Sequence, residues 1–444
     1  MGEYLKPLVD FAAKLIPAKK LSHTPVYLYA TAGLRLVPEP KRQKVLDKAC
    51  EYFKTTPLQK FGSCSRHFRV ITGQLEGIFG WLSVNYLKDG FDLKNAARKR
   101  SYGFLDMGGA STQIAFEPSP EMAEKHQNDL IPLALRATSG EEFDYSIFVT
   151  TFLQYGVNEA RRRFVELIST LPPPTVQPSP AKNETKEGAN TTTVKVSSRA
   201  EPLKALTDPC LPSGLKMDDN GYSLTGSGSF PTCLDHQFTL LNKTLPCPDN
   251  PCMFNGIHAP IADFRKHAFY GVSEYWYTIS EFLNITDRVS YDKLYSLSSG
   301  MCAKPWSELE KMFNEKRFER VASLNDLKAK CFKTAWILTI LYSGLGMPKK
   351  EELVRIIDDV DGFPVSWTLG AMLMHVMESI PKPSHYSFSY YIILIPLFIG
   401  SMIGCCIMIS RMKRRGKYAG VREYDEELSF VDEDYVLQRF TKRE

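Results

Sequence analysis

Residues 105–113 read LDMGGASTQ, and this run is the most informative in the chain. It lies between two segments with the apolar character of β-strands. Two adjacent glycines, Gly108 and Gly109, allow the tight turn in which backbone N–H groups face an anion. Asp106, at the end of the first strand, is placed to bind a divalent metal directly or through water. The run predicts a phosphate-binding turn, with a plain glycine-rich β-turn as the alternative.

Outward from this turn, strand-like and helix-like segments alternate. Strand-like segments cover residues 26–30, 67–72, 102–105 and the run that ends at Phe116, and helical spacing marks residues 41–55, 76–86 and 325–345. Alternation of this kind is typical of layered α/β proteins. The sequence therefore predicts an α/β fold.

Two further segments carry side chains suited to phosphate chemistry. In ITGQLEGIFGW, residues 71–81, Glu76 stands where a carboxylate can act as general base on a water. The alternative is a helix-start glutamate favoured by the macrodipole. In YATAGLR, residues 29–35, Thr31 and Arg35 can contact phosphate oxygens. The alternative there is a buried strand followed by a surface arginine.

The composition is that of an ordinary globular protein. The 444 residues are 43% hydrophobic and 24% charged, and 55 Lys and Arg against 50 Asp and Glu give a formal net charge of +5. These values exclude a wholly disordered, collagen-like or coiled-coil chain, and they give no reason to expect nucleic-acid binding. The length allows two or three domains.

Near the C-terminus, residues 390–409 carry no charge, and their number is close to the ~20 that a membrane-spanning helix needs. Basic residues follow at once, so we expect the tail, residues 410–444, in the cytosol and the larger part of the chain in the lumen or outside the cell. A buried core helix is the alternative. Residues 1–20 lack a signal-peptide pattern, so either the C-terminal span directs insertion or the chain lacks its natural N-terminus.

The ten cysteines agree with an oxidising compartment. Two lie within the predicted span, and the other eight are even in number, as a set of disulfides requires. Close spacing suggests three local pairs, which are Cys210 with Cys233, Cys247 with Cys252, and Cys302 with Cys331. A zinc site is disfavoured because no CxxC motif occurs and the eight histidines are scattered.

Four N-x-Ser/Thr sequons lie on the same side of the predicted span, at Asn183, Asn190, Asn242 and Asn284. The first two fall in residues 171–202, which are rich in Pro, Ser and Thr and poor in apolar residues. Such a segment is typical of a disordered, glycosylated insertion. We therefore expect a glycoprotein of the secretory pathway.

Three motifs, ATAGLRL, GQLEGIFGWLSVNYL and LDMGGASTQIAF, resemble in this order the second, third and fourth conserved regions of the apyrase family, the nucleoside triphosphate diphosphohydrolases. SWTLGAML, residues 366–373, resembles the fifth region. The resemblance implies two RNase-H-like lobes of the actin, sugar kinase and heat-shock ATPase superfold. The first lobe would comprise residues 1–64 with 346–378, and the second residues 65–345.

The resemblance also implies a reaction and the roles of single residues. The reaction would be hydrolysis of the terminal phosphate of nucleoside di- and triphosphates with Mg²⁺ or Ca²⁺ as cofactor. Glu76 would be the catalytic base, and Asp106 would organise the waters of the metal. The other implied residues are Ser111 and Gln113 for the attacking water, Thr31, Arg35, Gly108, Gly109 and Ala110 for phosphate, and Tyr275, Trp276 and Tyr277 near the nucleotide base, with no single ring assigned.

One motif of the family is absent from the chain as given. The first conserved region, Asp-x-Gly-Ser-Ser/Thr, has no counterpart in the residues that precede ATAGLRL. A shortened isoform or an incomplete gene model would explain its absence. If the chain is complete, the loss of half of the phosphate cradle predicts weak activity or none.

Finer resemblance, in FVTTFLQYGVNEARRR and SWTLGAML, is to the Golgi and endomembrane members, which favour UDP- and GDP-type substrates. The plasma membrane, with the protein facing outward, is the alternative location. Two other kinds of protein stay open as hypotheses. One is a catalytically weak or inactive membrane glycoprotein on the same scaffold, and the other is an enzyme such as a sugar kinase, which would need an acceptor hydroxyl. The oligomeric state does not follow from the sequence.

Overall fold

A computed structural model describes residues 1–58, 60–91, 101–137, 141–172, 203–248, 250–260, 264, 268–318, 320–380, 402–405 and 407–408. The chain groups into two units, which are residues 1–133 with 144–374 and residues 134–143 with 375–444. The candidate catalytic, phosphate and base residues all belong to the first unit. In the second unit, Arg136 pairs with Glu142 at 2.6 Å between Nη2 and Oε1.

Helices and strands alternate along most of the described chain. The helices are α1 (Gly2–Leu15), α2 (Ala32–Arg35), α3 (Glu39–Phe53), α4 (Cys64–His67), α5 (Gly73–Leu87), α6 (Pro120–Lys125), α7 (Val157–Thr170), α8 (Phe230–Thr239), α9 (Glu274–Leu283), α10 (Tyr291–Cys302), α11 (Trp306–Asn314), α12 (Leu324–Leu338) and α13 (Trp367–Ser379). The strands are β1 (Leu28–Ala30), β2 (Phe68–Val70), β3 (Gly103–Met107), β4 (Ser111–Phe116), β5 (Leu130–Arg136), β6 (Glu142–Leu153), β7 (Lys204–Asp208), β8 (Lys216–Asp219), β9 (Tyr222–Gly226), β10 (Phe269–Ser273), β11 (Arg288–Val289), β12 (Val354–Ile356), β13 (Asp359–Val360) and β14 (Phe363–Pro364). Short 3₁₀ helices cover Ala18–His23 and Gln127–Asp129, and a π-helical turn covers Thr339–Gly344.

The main sheet has the strand order β11-β12-β10-β3-β4-β6-β5. β10 runs parallel to β3, whereas β4 runs antiparallel to both β3 and β6. Every residue of β3 and β4 is buried, including the polar residues Asp106, Ser111, Thr112 and Gln113. Gln113 lies opposite Asp106 across the β3–β4 pair, and Val272 of β10 lies beside Asp106 on its other side.

Helix α5 packs directly on the sheet, and two glycines make this close approach possible. A Cβ atom at Gly77 would lie 2.5 Å from Cγ2 of Val149, and one at Gly73 would lie 2.2 Å from Cγ2 of Thr151. A larger side chain at either position would push the helix away from β6. The hydroxyl of Thr72 caps the helix at its N-terminus. The first turn of α5 is therefore fixed against the sheet.

The main core is formed by side chains from the sheet and from helices α7 to α12. Two of the disulfides in the structure lie in this core, between Cys210 and Cys233 and between Cys302 and Cys331, and a third joins Cys247 to Cys252. All three are pairs that the spacing in the sequence suggested.

A second and smaller hydrophobic cluster, which we call the N-terminal core, lies near the two-stranded parallel sheet of β1 and β2. Its buried members are Leu5, Val9, Ala49, Cys50, Phe53, Leu58 and Phe68. A disulfide joins Cys50, near the end of α3, to Cys64 at the start of α4. The sequence had assigned no partner to either cysteine.

Several predictions fall on residues outside the described ranges. These are Asn183, Asn190, the insertion from residue 173 to 202, most of the span 390–409 and the tail 410–444. In the part of the chain that the structure describes, no helix has both the length and the apolar character that a bilayer crossing needs. The sequon residues Asn242 and Asn284 are exposed.

Candidate active site

The turn between β3 and β4 is held in place by the residues at the start of α7. Three backbone N–H groups donate hydrogen bonds to carbonyl oxygens of the turn. Val157 donates to Gly108 at 3.0 Å, Asn158 donates to Gly109 at 2.9 Å, and Gln154 donates to Ala110 at 2.8 Å. The N–H groups of Gly109 and Ala110 have no acceptor among the described residues. The turn therefore offers two backbone donors to an anion.

Asp106 is a buried carboxylate near the end of β3, with 6% of the residue exposed. Its Oδ1 atom has no hydrogen-bond partner in the described part of the chain. Burial raises the pKa of Asp106 to about 6, and the nearby Ser273 side chain and Met107 backbone act in the opposite direction. A buried carboxylate oxygen without a donor suits a divalent cation or a water bound to one. Asp106 thus fits the role that the sequence implied for it.

Glu76 lies in the first turn of α5, and 7% of the residue is exposed. Its Oε2 atom forms an ion pair with Arg35 and accepts a hydrogen bond from Nε2 of Gln113 at 3.1 Å. Burial raises the pKa of Glu76 to about 7, the negative charge of Asp106 adds to the increase, and Arg35 opposes it. A carboxylate with a pKa near neutrality is suited to accept a proton at physiological pH.

Gln113 and Ser111 belong to β4 and lie beside Glu76 of helix α5, and both are buried. Nε2 of Gln113 lies 2.6 Å from Oγ of Ser111 and 3.4 Å from Oγ1 of Thr151, in addition to its contact with Glu76. An amide group has two N–H donors, so these three acceptors compete for them. Oε1 of Gln113 has no partner among the described residues. A water that entered this cluster could accept a hydrogen bond from the hydroxyl of Ser111 and donate one to Oε1 of Gln113.

Thr31 and Arg35 approach the cluster from the N-terminal sheet. The N–H of Ile71, which follows β2, donates to the carbonyl of Ala30 at 2.9 Å, so β1 and β2 end side by side. Thr31 therefore leaves β1 close to the residues that lead into α5. The sequence had assigned Arg35 to phosphate, but in the structure its guanidinium pairs with Glu76.

Residues 1–385 match the family described as GDA1/CD39 (nucleoside phosphatase). The chain belongs to the GDA1/CD39 family. Among its relatives, the Golgi apyrase of Saccharomyces cerevisiae is 35% identical over an alignment of 395 residues that covers 85% of this chain and 60% of that protein. The nucleoside-diphosphatase mig-23 of Caenorhabditis elegans is 30% identical over an alignment of 440 residues that covers 92% of this chain and 74% of that protein. This chain thus spans three fifths of the length of the yeast apyrase, and the resemblance to apyrases inferred from the motifs is confirmed.

A solved structure has a similar fold. The crystal structure of a nucleoside triphosphate hydrolase from Neospora caninum matches with a TM-score of 0.50 and 16% sequence identity, covering 82% of this chain and 75% of that one. At this level of identity the match concerns the fold alone. It confirms the α/β class predicted from the alternation of strands and helices.

The three aromatic residues implied near the base of a GDA1/CD39 substrate lie in different surroundings on α9. Tyr275 is fully buried, and burial raises the pKa of its hydroxyl above the usual range. Its ring is therefore not open to a ligand. Trp276 is partly buried, and the guanidinium carbon of Arg320 lies 5.4 Å from its ring centroid. Tyr277 is 45% exposed, so it is the most accessible of the three rings.

Ser273 is a candidate functional residue that the sequence analysis missed. It ends β10, where the register places it beside Met107, and its side chain lowers the pKa of the nearby Asp106. Its backbone has φ 57° and ψ −122°, a conformation that residues other than glycine rarely adopt. The signal in the sequence was its position, because a hydroxyl at the carboxyl end of a strand can reach the neighbouring parallel strand. Strain of this kind is common at sites where the surrounding structure fixes a side chain for function.

Proposed function

We propose that this chain hydrolyses the terminal phosphate of nucleoside di- and triphosphates. The observation that carries the proposal is the convergence of Glu76, Gln113 and Ser111 in one buried cluster close to the charge of Asp106. A base with a pKa near 7, polar groups for a water, and a glycine turn with backbone donors are what transfer of a phosphoryl group to water requires.

In the proposed reaction, Gln113 and Ser111 hold a water, and Glu76 accepts a proton from it as its oxygen attacks the terminal phosphorus. A bond forms between that oxygen and phosphorus, and the bond between phosphorus and the bridging oxygen breaks. Inorganic phosphate and the shortened nucleotide are the products. The N–H groups of Gly109 and Ala110 donate to oxygens of the phosphate as negative charge redistributes.

The resemblance of the motifs to those of apyrases implies a divalent cation as cofactor. We propose Mg²⁺ or Ca²⁺, with Asp106 as the residue that organises its waters. Such an ion would neutralise negative charge on the phosphate oxygens. Arg35 has a different role in this scheme: its charge favours the ionised form of Glu76, which is the form that accepts a proton.

The substrate preference and the location are proposed from the relatives and from the sequence. One relative is named a Golgi apyrase and another a nucleoside-diphosphatase, so we propose UDP- and GDP-type substrates in the lumen of the Golgi or another endomembrane compartment. Disulfides and exposed sequons at Asn242 and Asn284 support an oxidising compartment. We propose Tyr277 as the ring that stacks on the nucleotide base, because it is the accessible one.

Phosphate release from UDP, GDP, ADP, UTP and ATP, with Mg²⁺ or Ca²⁺ present, tests the proposed function directly. The detergent-solubilised chain is compared with Glu76→Gln, which keeps the shape of the side chain and removes its charge. We expect metal-dependent release by the unchanged chain and a loss of at least about 100-fold in kcat for the variant, because general-base catalysis typically contributes that much.

A folded chain without activity would instead support the alternative of an inactive membrane glycoprotein on the same scaffold. Its fold would be verified by circular dichroism and by a cooperative thermal transition. Activity that Glu76→Gln leaves unchanged would reject the assignment of the base while keeping the hydrolase. Transfer to an added alcohol in preference to water would support a kinase-like enzyme.

A further inference from the structure

Two histidines that are far apart in the sequence meet at one point of the fold. Nδ1 of His126 lies 3.2 Å from Nε2 of His258. Oδ2 of Asp129 lies 3.4 Å from the first nitrogen and 3.2 Å from the second. The scattered histidines had argued against a zinc site, but the fold brings two of them together with a carboxylate.

Local backbone structure fixes each side of this cluster. His126 and Asp129 flank a 3₁₀ turn in which the N–H of Asp129 donates to the carbonyl of His126 at 2.9 Å. Residues three apart in a 3₁₀ turn lie above one another, so both side chains point the same way. His258 lies in a short loop where it forms an antiparallel bridge with Cys252, which is itself in a disulfide with Cys247.

Hydrogen bonds account for only two of the three close separations in this cluster. The three atoms form a triangle of nearly equal sides, and each imidazole nitrogen carries at most one proton. With at most one proton on each of the two nitrogens, at most two of the three close separations can be hydrogen bonds. One cation near the centre of the triangle contacts all three atoms at once.

The dimensions of the triangle agree with tetrahedral coordination. Zinc binds imidazole nitrogen at about 2.0–2.1 Å and carboxylate oxygen at about 2.0–2.2 Å, and a tetrahedron with such bonds has edges of about 3.3–3.5 Å. The three observed separations of 3.2, 3.2 and 3.4 Å lie within about 0.2 Å of that range. Ligand atoms therefore stand almost where a bound zinc would require them.

We propose that His126, Asp129 and His258 form a binding site for a divalent transition metal of the zinc type. Two imidazoles select zinc, copper, nickel or cobalt over Mg²⁺ and Ca²⁺, which prefer oxygen ligands. All three side chains are partly exposed, so water can supply a fourth ligand. The bound ion links the turn after α6 to the disulfide-bonded loop that carries His258, and it stabilises the folded chain.

Cobalt titration of the tag-free full chain, stripped with chelator and kept in excess Mg²⁺, tests this site. Tetrahedral Co²⁺ gives a strong visible absorption that octahedral Co²⁺ lacks, so the readout is independent of phosphatase activity. We expect one equivalent to bind with this spectrum and to be displaced by Zn²⁺. His126→Asn and His258→Asn are each expected to weaken binding at least about tenfold, as loss of supporting residues already does at metal sites.

His23→Asn serves as the matched control, because His23 is an exposed histidine that contacts Ser22 outside the cluster. Its affinity for Co²⁺ is expected to equal that of the unchanged chain. Octahedral spectra, or unchanged affinity in both cluster variants, would overturn the proposal. X-ray absorption of the zinc-loaded unchanged chain decides the matter if a variant fails to fold: scattering from two imidazoles supports the site, and an all-oxygen shell rejects it.

Discussion

At the scale of single residues, the buried carboxyl of Glu76 makes stability depend on pH. Its pKa is about 7 in the folded chain against an ordinary value of 4.5, so between these values the folded state keeps a proton that the unfolded chain has lost. The free energy of unfolding therefore falls as pH rises through this window and levels off above it. Glu76→Gln cannot titrate and should lose this part of the slope.

Urea denaturation of the chelator-treated chain at intervals between pH 4.5 and 8 measures the slope for both forms. Asp106 is present in both forms, and because its charge interacts with that of Glu76, the difference between the two slopes reports the Glu76 carboxyl together with this interaction. Equal slopes for the two forms would show that the Glu76 carboxyl titrates normally, and would remove the basis for its role as a base near neutrality.

Ser273 combines a hydroxyl that lowers the pKa of Asp106 with an unfavourable backbone conformation, and two substitutions separate these properties. Ser273→Ala removes the hydroxyl and keeps the strain, whereas Ser273→Gly removes the hydroxyl and relieves the strain, which is worth about 1–3 kcal/mol. We expect both variants to lose activity to a similar extent and the glycine variant to be the more stable.

Thermal unfolding and kcat, measured side by side, distinguish a role for the hydroxyl from a role for the backbone. Full activity in the alanine variant would mean that the effect of the Ser273 hydroxyl on Asp106 is dispensable. Lower stability in the glycine variant would contradict the assignment of strain at this position.

At the scale of elements, the contact of α5 with β6 determines where Glu76 lies. A methyl group at Gly77 would meet Val149, so Gly77→Ala should destabilise the fold by about 1–3 kcal/mol and reduce activity by displacing the neighbouring Glu76. Gly33→Ala is the control, because a Cβ atom there has no neighbour within 4 Å. Denaturant unfolding and phosphate release measure both effects.

The double variant Gly77→Ala with Val149→Ala tests the cause of this loss, because it frees the space that the new methyl group needs. Partial recovery of activity relative to Gly77→Ala is the expected result. A Gly77→Ala chain as stable and active as Gly33→Ala would show that α5 tolerates a shift on the sheet.

Much of the candidate site could be predicted because its residues lie in short, regular elements. The apolar strand before Asp106, the paired glycines after it and the helix that starts near Glu76 are local patterns that α/β packing reproduces. The pairing of Arg35 with Glu76 joins residues 41 positions apart, and no local pattern reports such a contact. The burial of Tyr275 could not be predicted from the sequence either, since it depends on which face of α9 packs against the sheet.

At the scale of the whole molecule, contacts between distant residues were the ones that sequence reasoning could not supply. The spacing of cysteines suggested three disulfides, and the fourth, between Cys50 and Cys64, follows from the packing of α3 against α4 and β2. The meeting of His126 and His258 depends on two loops separated by 132 residues. The separation of the N-terminal core from the main core also follows from tertiary packing rather than from composition.

This division predicts that the two cores respond separately to loss of a disulfide. Removing the Cys50–Cys64 bond, which spans a sequence separation of 14, should cost about 3 kcal/mol by the loop-closure estimate. The loss of stability should fall on the N-terminal core, which adjoins the β1–β2 sheet. This sheet positions Thr31 and Arg35, because both residues follow β1 closely in the chain. Cys50→Ser with Cys64→Ser should therefore lower activity while the main sheet stays folded.

Hydrogen exchange followed by mass spectrometry resolves the two regions, with Cys302→Ser and Cys331→Ser as the matched change in the main core. In the first variant, amides of α3 and β2 should exchange faster while those of β3 and β4 keep their protection. In the variant that lacks the Cys302–Cys331 bond, amides of β3 and β4 should exchange faster while those of α3 and β2 keep their protection. If β3 and β4 lose protection together with α3, the two cores unfold as one cooperative unit, and Arg35 is held beside Glu76 by the stability of the whole chain rather than by the N-terminal disulfide.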